Sequence, residues 1–162
     1  MSNPLWEFAL ARYAHEAVAS ACLRAQDEAG SDVNLLLYAA WLAEQECELC
    51  PRRLAALDSK LVSWRTRVIA PLRQLRRDWK DLADVEPLRR EVKSLELRAE
   101  QQEVEQLWGA HLAAQIQPTS DDNLRFNLLQ VLALTCSDRA QQESVCAQLE
   151  AALADSSLDL QG

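Results

Sequence analysis

Two cysteines separated by two residues, Cys47 and Cys50, form the motif in this sequence that most resembles a reactive site. A thioredoxin-type pair has its first cysteine at a helix N-terminus within a βαβ unit, where the helix dipole lowers the thiol pKa. Here the pair falls at the end of a predicted helix, in a chain without strand patterns, and at that end the helix dipole is expected to raise the thiol pKa. A zinc site needs two further ligands at ordinary spacing, and none follows. The pattern therefore favours packed, unreactive thiols, with a redox or metal role left open.

The histidines and acidic residues form no catalytic motif. His15 and His111 lie far apart, and neither follows a Glu or Asp by three residues, as the ligands of di-iron helical bundles do. The chain has no phosphate-binding glycine loop, no G-x-S-x-G and no H-E-x-x-H. The sequence thus predicts no catalytic residue, cofactor or metal. An enzyme with a cavity between helices, using Asp32, His15 or a cysteine, is kept as an alternative.

A row of basic residues is the strongest candidate for a binding surface. Between Leu61 and Leu82 apolar residues recur at spacings of three or four, which predicts an amphipathic helix. The candidate binding residues lie beside that apolar stripe: Arg65, Arg73, Arg76, Arg77, Trp79 and Lys80. Arginine suits carboxylates and phosphates because its planar fork donates two parallel hydrogen bonds. The pattern predicts a site for a protein partner with an acidic surface; RNA binding is the alternative.

Charge is unevenly distributed along the chain, which has 162 residues and a formal net charge of −8. Residues 52–98 hold 13 basic and 7 acidic residues, whereas the rest holds 4 basic and 18 acidic residues. Nucleic-acid-binding domains usually have a pI above about 9, and the pI here is near 4.8. The basic segment could bind an acidic partner, or its arginines could neutralise acids of the same chain.

The elements that must position these residues are helices. The chain has only 3 Gly and 5 Pro, 49% of its residues are hydrophobic, and helix-forming residue types dominate. We predict an all-α fold, a single bundle of six or seven helices over residues 1–154, followed by a polar tail at 155–162. Asp32 is expected to cap a helix whose apolar residues lie almost all round it, which predicts a central position. This helix is expected to end near Cys50, since a residue before a proline disfavours the α-helical conformation. The five tryptophans are expected in the core.

Two positions in the predicted helices carry specific expectations. Pro71 interrupts the amphipathic segment, which predicts either a kink or a second helix beginning there. The helix expected to begin at Pro87 has a polar middle at Gln101, Gln102 and Glu103, which predicts a break or a solvent-bridging helix. No apolar run is long enough to span a membrane and no signal peptide is visible, so a cytoplasmic protein is expected.

Two segments carry a resemblance to a known family. Residues 31–37 read Ser-Asp-Val-Asn-Leu-Leu-Leu and are followed by Trp41, and residues 68–77 read Val-Ile-Ala-Pro-Leu-Arg-Gln-Leu-Arg-Arg. They resemble, in this order, a proteobacterial family of unknown function found in Pseudomonas-like and Vibrio-like bacteria, over the first two thirds of the chain. The resemblance implies a small cytoplasmic bacterial protein and no particular activity. Asp32 and Asn34 are interpreted as structural, with a ligand contact as the alternative.

Overall fold

Helices make up most of the computed structural model, which describes residues 2–119 and 122–159. In chain order they are α1 (Pro4–Tyr13), α2 (Glu16–Ala29), α3 (Val33–Glu44), α4 (Pro51–Trp64), a π turn (Arg65–Ile69), α5 (Ala70–Asp78), α6 (Glu86–Ala114), α7 (Leu124–Ala133) and α8 (Arg139–Asp159). Because α4, the π turn and α5 are contiguous, they form one continuous helix, 51–78. With that stretch counted once, the described residues form seven helices and no strand, which confirms the predicted all-α bundle.

Helix α3 lies at the centre of the bundle. Every residue from Leu35 to Leu42 is buried, and α1, α2, α6 and α7 all pack against this helix. The Asp32 carboxylate accepts a hydrogen bond from the Leu35 N–H at 2.8 Å, which fixes the first turn. The prediction that this helix continues to Cys50 is wrong. It ends at Glu44, and Glu46 takes a left-handed conformation with φ 57°.

The π turn accommodates Pro71 within the continuous helix 51–78. A proline ring crowds the carbonyl four residues before it and supplies no N–H, so an ordinary α-turn is disfavoured. The Ala70 N–H instead bonds to the carbonyl of Arg65, five residues back, which widens the turn. The helix therefore passes Pro71 without stopping, which excludes one of the two expected arrangements, a separate second helix beginning at Pro71.

Helix α6 runs unbroken through the polar middle where a break was predicted. Gln101 and Gln102 are exposed, but Glu103 is fully buried and accepts a hydrogen bond from Asn34 at 2.7 Å. The polar residues thus belong to two faces, one toward solvent and one toward the bundle. The N-terminal half of α6 packs against α5, and together they form a helical hairpin beside the main bundle.

The structure differs from the sequence-based expectations at the C-terminal segment and at the tryptophans. Helix α8 extends into the segment expected as a tail: Ser156 is buried and accepts a hydrogen bond from Arg12 at 3.3 Å. Residues 160–162 of that segment lie outside the described residues. Among the five tryptophans only Trp41 is buried, and the other four are partly exposed. None of the described helices is both long and apolar enough to cross a membrane.

Candidate binding cleft

A cleft separates α1 and α2 from the α5–α6 hairpin. It consists of an inner cavity of about 130 Å³ and an adjoining outer cavity of about 540 Å³. The two cavities share the side chains of Tyr13, Gln26, Arg73, Leu97 and Glu100. Together they have the dimensions of a site for a small molecule or a few side chains of a partner. We call this feature the cleft.

The outer cavity is basic and partly apolar. Five basic side chains line it against two carboxylates: Arg73, Arg76, Arg77, Arg90 and Lys93, with Glu96 and Glu100. Three apolar or aromatic side chains on its walls are exposed, namely Tyr13 (39%), Leu23 (45%) and Leu97 (50%). The cleft thus concentrates positive charge in a chain whose net charge is −8. Anions bearing apolar groups fit this lining.

Two of the arginines are held by carboxylates of α6. Arg73 contacts Glu96 at 3.2 Å and Glu100 at 3.0 Å, while Arg76 donates to both oxygens of Glu96. Burial alone raises the pKa of Glu96, but its hydrogen bonds and charge interactions with Arg76 and Arg73 bring that pKa below the ordinary value. Glu96 is therefore a carboxylate that clamps α5 to α6.

Below the inner cavity lies a buried polar cluster around Arg65. The Arg65 Nε lies 3.0 Å from Glu103 Oε1 and 3.7 Å from Asp32 Oδ2, and its Nη2 donates to Asp58. The Nε–H does not point toward Glu103 Oε1, so this close pair is an ion contact without a hydrogen bond. The other Glu103 oxygen accepts from Asn34. One guanidinium thus faces three carboxyl groups.

Burial shifts two acids of this cluster, Glu103 and Asp32, toward the protonated form. Burial is the largest cause and the charge of Asp32 the next, and together they raise the pKa of Glu103 to about 8. Burial also raises the pKa of Asp32, although Arg65 and the Leu35 N–H oppose that shift. Because Asp32 caps α3 through its carboxylate, we assign the proton shared between these acids to Glu103.

A pH-dependent stability follows for Glu103→Gln. The folded pKa of Glu103 is above the unfolded value, so its contribution is complete below the unfolded pKa and is lost as pH rises through about 8. Relative to the variant, the wild-type free energy of unfolding should fall by about 2 kcal/mol between mildly acidic and mildly alkaline pH. Urea denaturation at several pH values measures it. Glu91→Gln, at an exposed position of the same helix outside both cavities, is the control; a pH-independent difference would contradict the assignment.

The structure divides the candidate residues identified from sequence among three places. Arg73, Arg76 and Arg77 line the outer cavity, whereas Arg65 lies in the buried cluster. Lys80 is exposed beyond the end of α5, and Trp79 is half-buried there. The family-motif residues separate as well. Asp32 and Asn34 line the inner cavity, and Trp41 packs in the core against Tyr38, Trp108 and His111.

Sequence reasoning missed the residues opposite the arginines. Glu96, Glu100 and Glu103 are spaced four and three residues apart, so they share one face of α6. That acidic row is the signal that could have identified α6 as the partner of the basic row. Arg90 and Lys93 belong to the basic segment 52–98 but lie outside the amphipathic stripe that predicts the binding surface. Tyr13, Leu23 and Leu97 belong to no motif that indicates a binding site.

The cysteine pair lies in the loop between α3 and α4, and not at the C-terminal end of a helix. Cys50 is the exposed N-cap residue of α4, where the N–H groups of Arg53 and Arg52 lower its pKa. Cys47 is buried, and burial raises its pKa. The expected raised pKa for both thiols is therefore wrong for Cys50. Cys22, Cys136 and Cys146 are buried as packed thiols.

Comparison with known proteins places the chain in a family. The model of the family described as Protein of unknown function (DUF2390) matches residues 4–107. This range begins with α1 and ends in α6, so it contains every residue that lines the cleft. No curated protein and no solved structure matches the chain. The match confirms the resemblance to an uncharacterised family, and the chain belongs to the DUF2390 family of proteins of unknown function.

Proposed function

We propose that this protein is a non-enzymatic interaction module whose cleft binds an acidic, partly apolar segment of a partner protein. The observation that carries the proposal is the lining of the outer cavity, where five basic side chains outnumber two carboxylates beside exposed leucines. We further propose that it acts in the bacterial cytoplasm, the setting implied by the family resemblance. The partner is defined by its chemistry: aspartates or glutamates interspersed with aliphatic side chains.

The basic residues of the cleft divide into two roles. Arg73 and Arg76 are engaged by Glu96 and Glu100, so they keep the hairpin in place. Arg77, Arg90 and Lys93 are exposed. Arg77 faces the exposed Asp27 at 3.5 Å and Arg90 faces the exposed Glu86 at 3.5 Å, and such surface pairs contribute little. These three side chains are therefore available to a carboxylate ligand.

The apolar lining favours a protein segment over RNA. Sequence-tolerant RNA sites stack bases on aromatic side chains along a basic track, and Tyr13 is the aromatic residue that lines the outer cavity. Leu23 and Leu97 instead present aliphatic surface of a kind that packs against leucine or valine side chains. The chain's net charge of −8 also repels a long polyanion.

The experiment measures binding of a fluorescent synthetic peptide in which Asp and Glu alternate with Leu. The wild-type protein should bind it, and the double variant Arg77→Glu/Lys93→Glu should bind at least about tenfold more weakly, because both reversed charges face the peptide carboxylates. Affinity should also fall as salt increases. Fluorescence anisotropy at low and moderate ionic strength gives both results.

A matched control separates the cleft from overall charge. Arg52→Glu/Lys60→Glu makes the same charge change at two exposed positions of α4 outside the cleft, and it should leave the affinity near the wild-type value. A peptide with Gln and Asn in place of its acids should bind poorly. Equal losses in both double variants would overturn the proposal, as would a preference for single-stranded RNA that the cleft variant abolishes.

A further inference from the structure

A second concave surface lies on the opposite side of the α5–α6 hairpin. This groove, of about 520 Å³, runs between the continuous helix 51–78 and α6. Its lining residues are Trp64, Val68, Leu72, Leu95, Arg98, Ala99, Gln101, Gln102 and Glu105. None of them lines the cleft, so the two surfaces are separate. We call it the groove.

The groove is an apolar face that no described part of the chain covers. Trp64, Val68 and Leu72 form one wall and are each only partly buried. On the facing wall Leu95 is 47% exposed, although it stands in the apolar seam of α6 between Val92 and Ala99, which are both buried. Contiguous exposed apolar surface of this kind is typical of interaction sites.

Charged residues on the α6 wall have a self-complementary arrangement. Arg98 and Glu105 both line the groove and are seven residues apart, which is two helical turns or about 10.5 Å. Neither makes an ion pair with any other described residue. When two copies of α6 meet antiparallel about a twofold axis, the Arg98 of each copy faces the Glu105 of the other.

The residues between these charges satisfy the same symmetry. The axis passes between Gln101 and Gln102, which lie midway from Arg98 to Glu105. A glutamine amide both donates and accepts hydrogen bonds, so Gln101 of one copy can pair with Gln102 of the other. Because a twofold interface must match itself, opposite charges equidistant from such a centre favour a second copy over an unrelated partner.

We propose that the groove is the interface of a homodimer, in which α6 of the two copies packs antiparallel and Arg98 of each copy pairs with Glu105 of the other. The same axis places the exposed Leu95 of each copy opposite residues 108 and 109 of the other copy's α6. This arrangement makes a four-helix bundle from α6 and the continuous helix 51–78 of each copy. It leaves both clefts open, because the cleft lies on the other face of each hairpin.

Charge reversal tests the pairing directly. Arg98→Glu gives a copy with two acids, and Glu105→Arg gives a copy with two bases, so each variant should be monomeric where the wild type is dimeric. An equimolar mixture of the two variants restores both ion pairs and should form a heterodimer. The double variant Arg98→Glu/Glu105→Arg should dimerise with itself. Sedimentation velocity over a range of protein concentrations measures all four cases.

Two leucines on one helix provide the matched control. Leu95 faces the groove and Leu97 faces the cleft, with similar exposures of 47% and 50%. Leu95→Asp should produce a monomer that still binds the acidic peptide, whereas Leu97→Asp should remain a dimer with weakened peptide binding. This pair separates the failure of the dimer from the failure of the cleft.

Three outcomes would overturn the dimer. The wild type could sediment as a monomer at all concentrations reached, the mixture of charge-reversed variants could remain monomeric, or Leu97→Asp could dissociate the dimer as readily as Leu95→Asp. The last result would place self-association at the cleft. Circular dichroism of each variant confirms that it is folded before its mass is interpreted.

Discussion

Replacing Arg65 with methionine should lower the free energy of unfolding by about 3 kcal/mol at neutral pH. Arg65 is the guanidinium that Asp32, Asp58 and Glu103 share, and the Glu103 side chain is fully buried. Methionine retains most of the side-chain length, so the main change is the loss of the positive charge. Glu103 is protonated at neutral pH, so the cost arises because the partly buried carboxylates of Asp32 and Asp58 lose the cation that they contact.

A second substitution shows whether that explanation is correct. Glu103→Gln removes the group that becomes charged as pH rises above about 8, so in alkaline solution the double variant Arg65→Met/Glu103→Gln should recover part of the stability that Arg65→Met loses. Urea denaturation of the wild type, both single variants and the double variant gives the coupling free energy. Arg67→Met changes the same residue type at an exposed position of the π turn, and its effect should be within about 0.5 kcal/mol. Equal effects of Arg65→Met and Arg67→Met would disprove a role for the buried cluster.

The roles of the arginines show what a helical pattern contains and what it leaves out. Periodicity places Arg65, Arg73 and Arg76 on one face of a helix, and in the structure all three contact carboxyl groups of α6. It does not give the neighbour of that face. Their carboxylate partners come from α6, 20 to 38 residues along the chain, and only the packing of the helices brings them together.

Burial was predicted well where the pattern is unambiguous. The run from Leu35 to Leu42 is apolar on all sides, so only a central position satisfies it, and α3 is central. The amphipathic stripe from Leu61 to Leu82 is different. Leu61 is buried because it packs in the main core, whereas Leu82 is 56% exposed because it lies beyond the end of α5 at Asp78. A stripe identifies an apolar face but not how completely it is covered.

Local backbone chemistry explains the remaining differences. The Cys47–Cys50 segment was predicted to be the end of a helix because Pro51 disfavours helix before it. Pro51 instead begins α4, at a first-turn position where its missing N–H costs nothing. Cys50 therefore lies at a helix N-terminus, where the N–H groups of the first turn lower its thiol pKa instead of raising it. One misplaced boundary reverses a pKa prediction.

Asn127 holds the loop that carries those cysteines. It is fully buried on α7, and its side chain bonds to three backbone groups of other elements. Its oxygen accepts from the Leu49 N–H at 2.7 Å, and its amide donates to the carbonyls of Cys47 at 3.0 Å and Ala39 at 3.2 Å. One side chain thus substitutes for the hydrogen bonds that a helix or sheet would provide to this loop.

Asn127→Ala should lower the free energy of unfolding by roughly 4 kcal/mol, because one backbone N–H and two carbonyls lose their buried partner and a cavity remains. The loop should also open more often, so that a thiol reagent modifies Cys47, which is 4% exposed in the native fold.

Asn123→Ala makes the same substitution at a buried asparagine that donates one hydrogen bond, to the Thr119 hydroxyl, and should cost only about 1 kcal/mol. Similar losses for the two variants, or a Cys47 that stays protected in Asn127→Ala, would show that helix packing alone holds the loop. A large difference, with Cys47 reacting before global unfolding, would instead show that Asn127 fixes the loop between α3 and α4, and with it the exposed position of Cys50 at the start of α4.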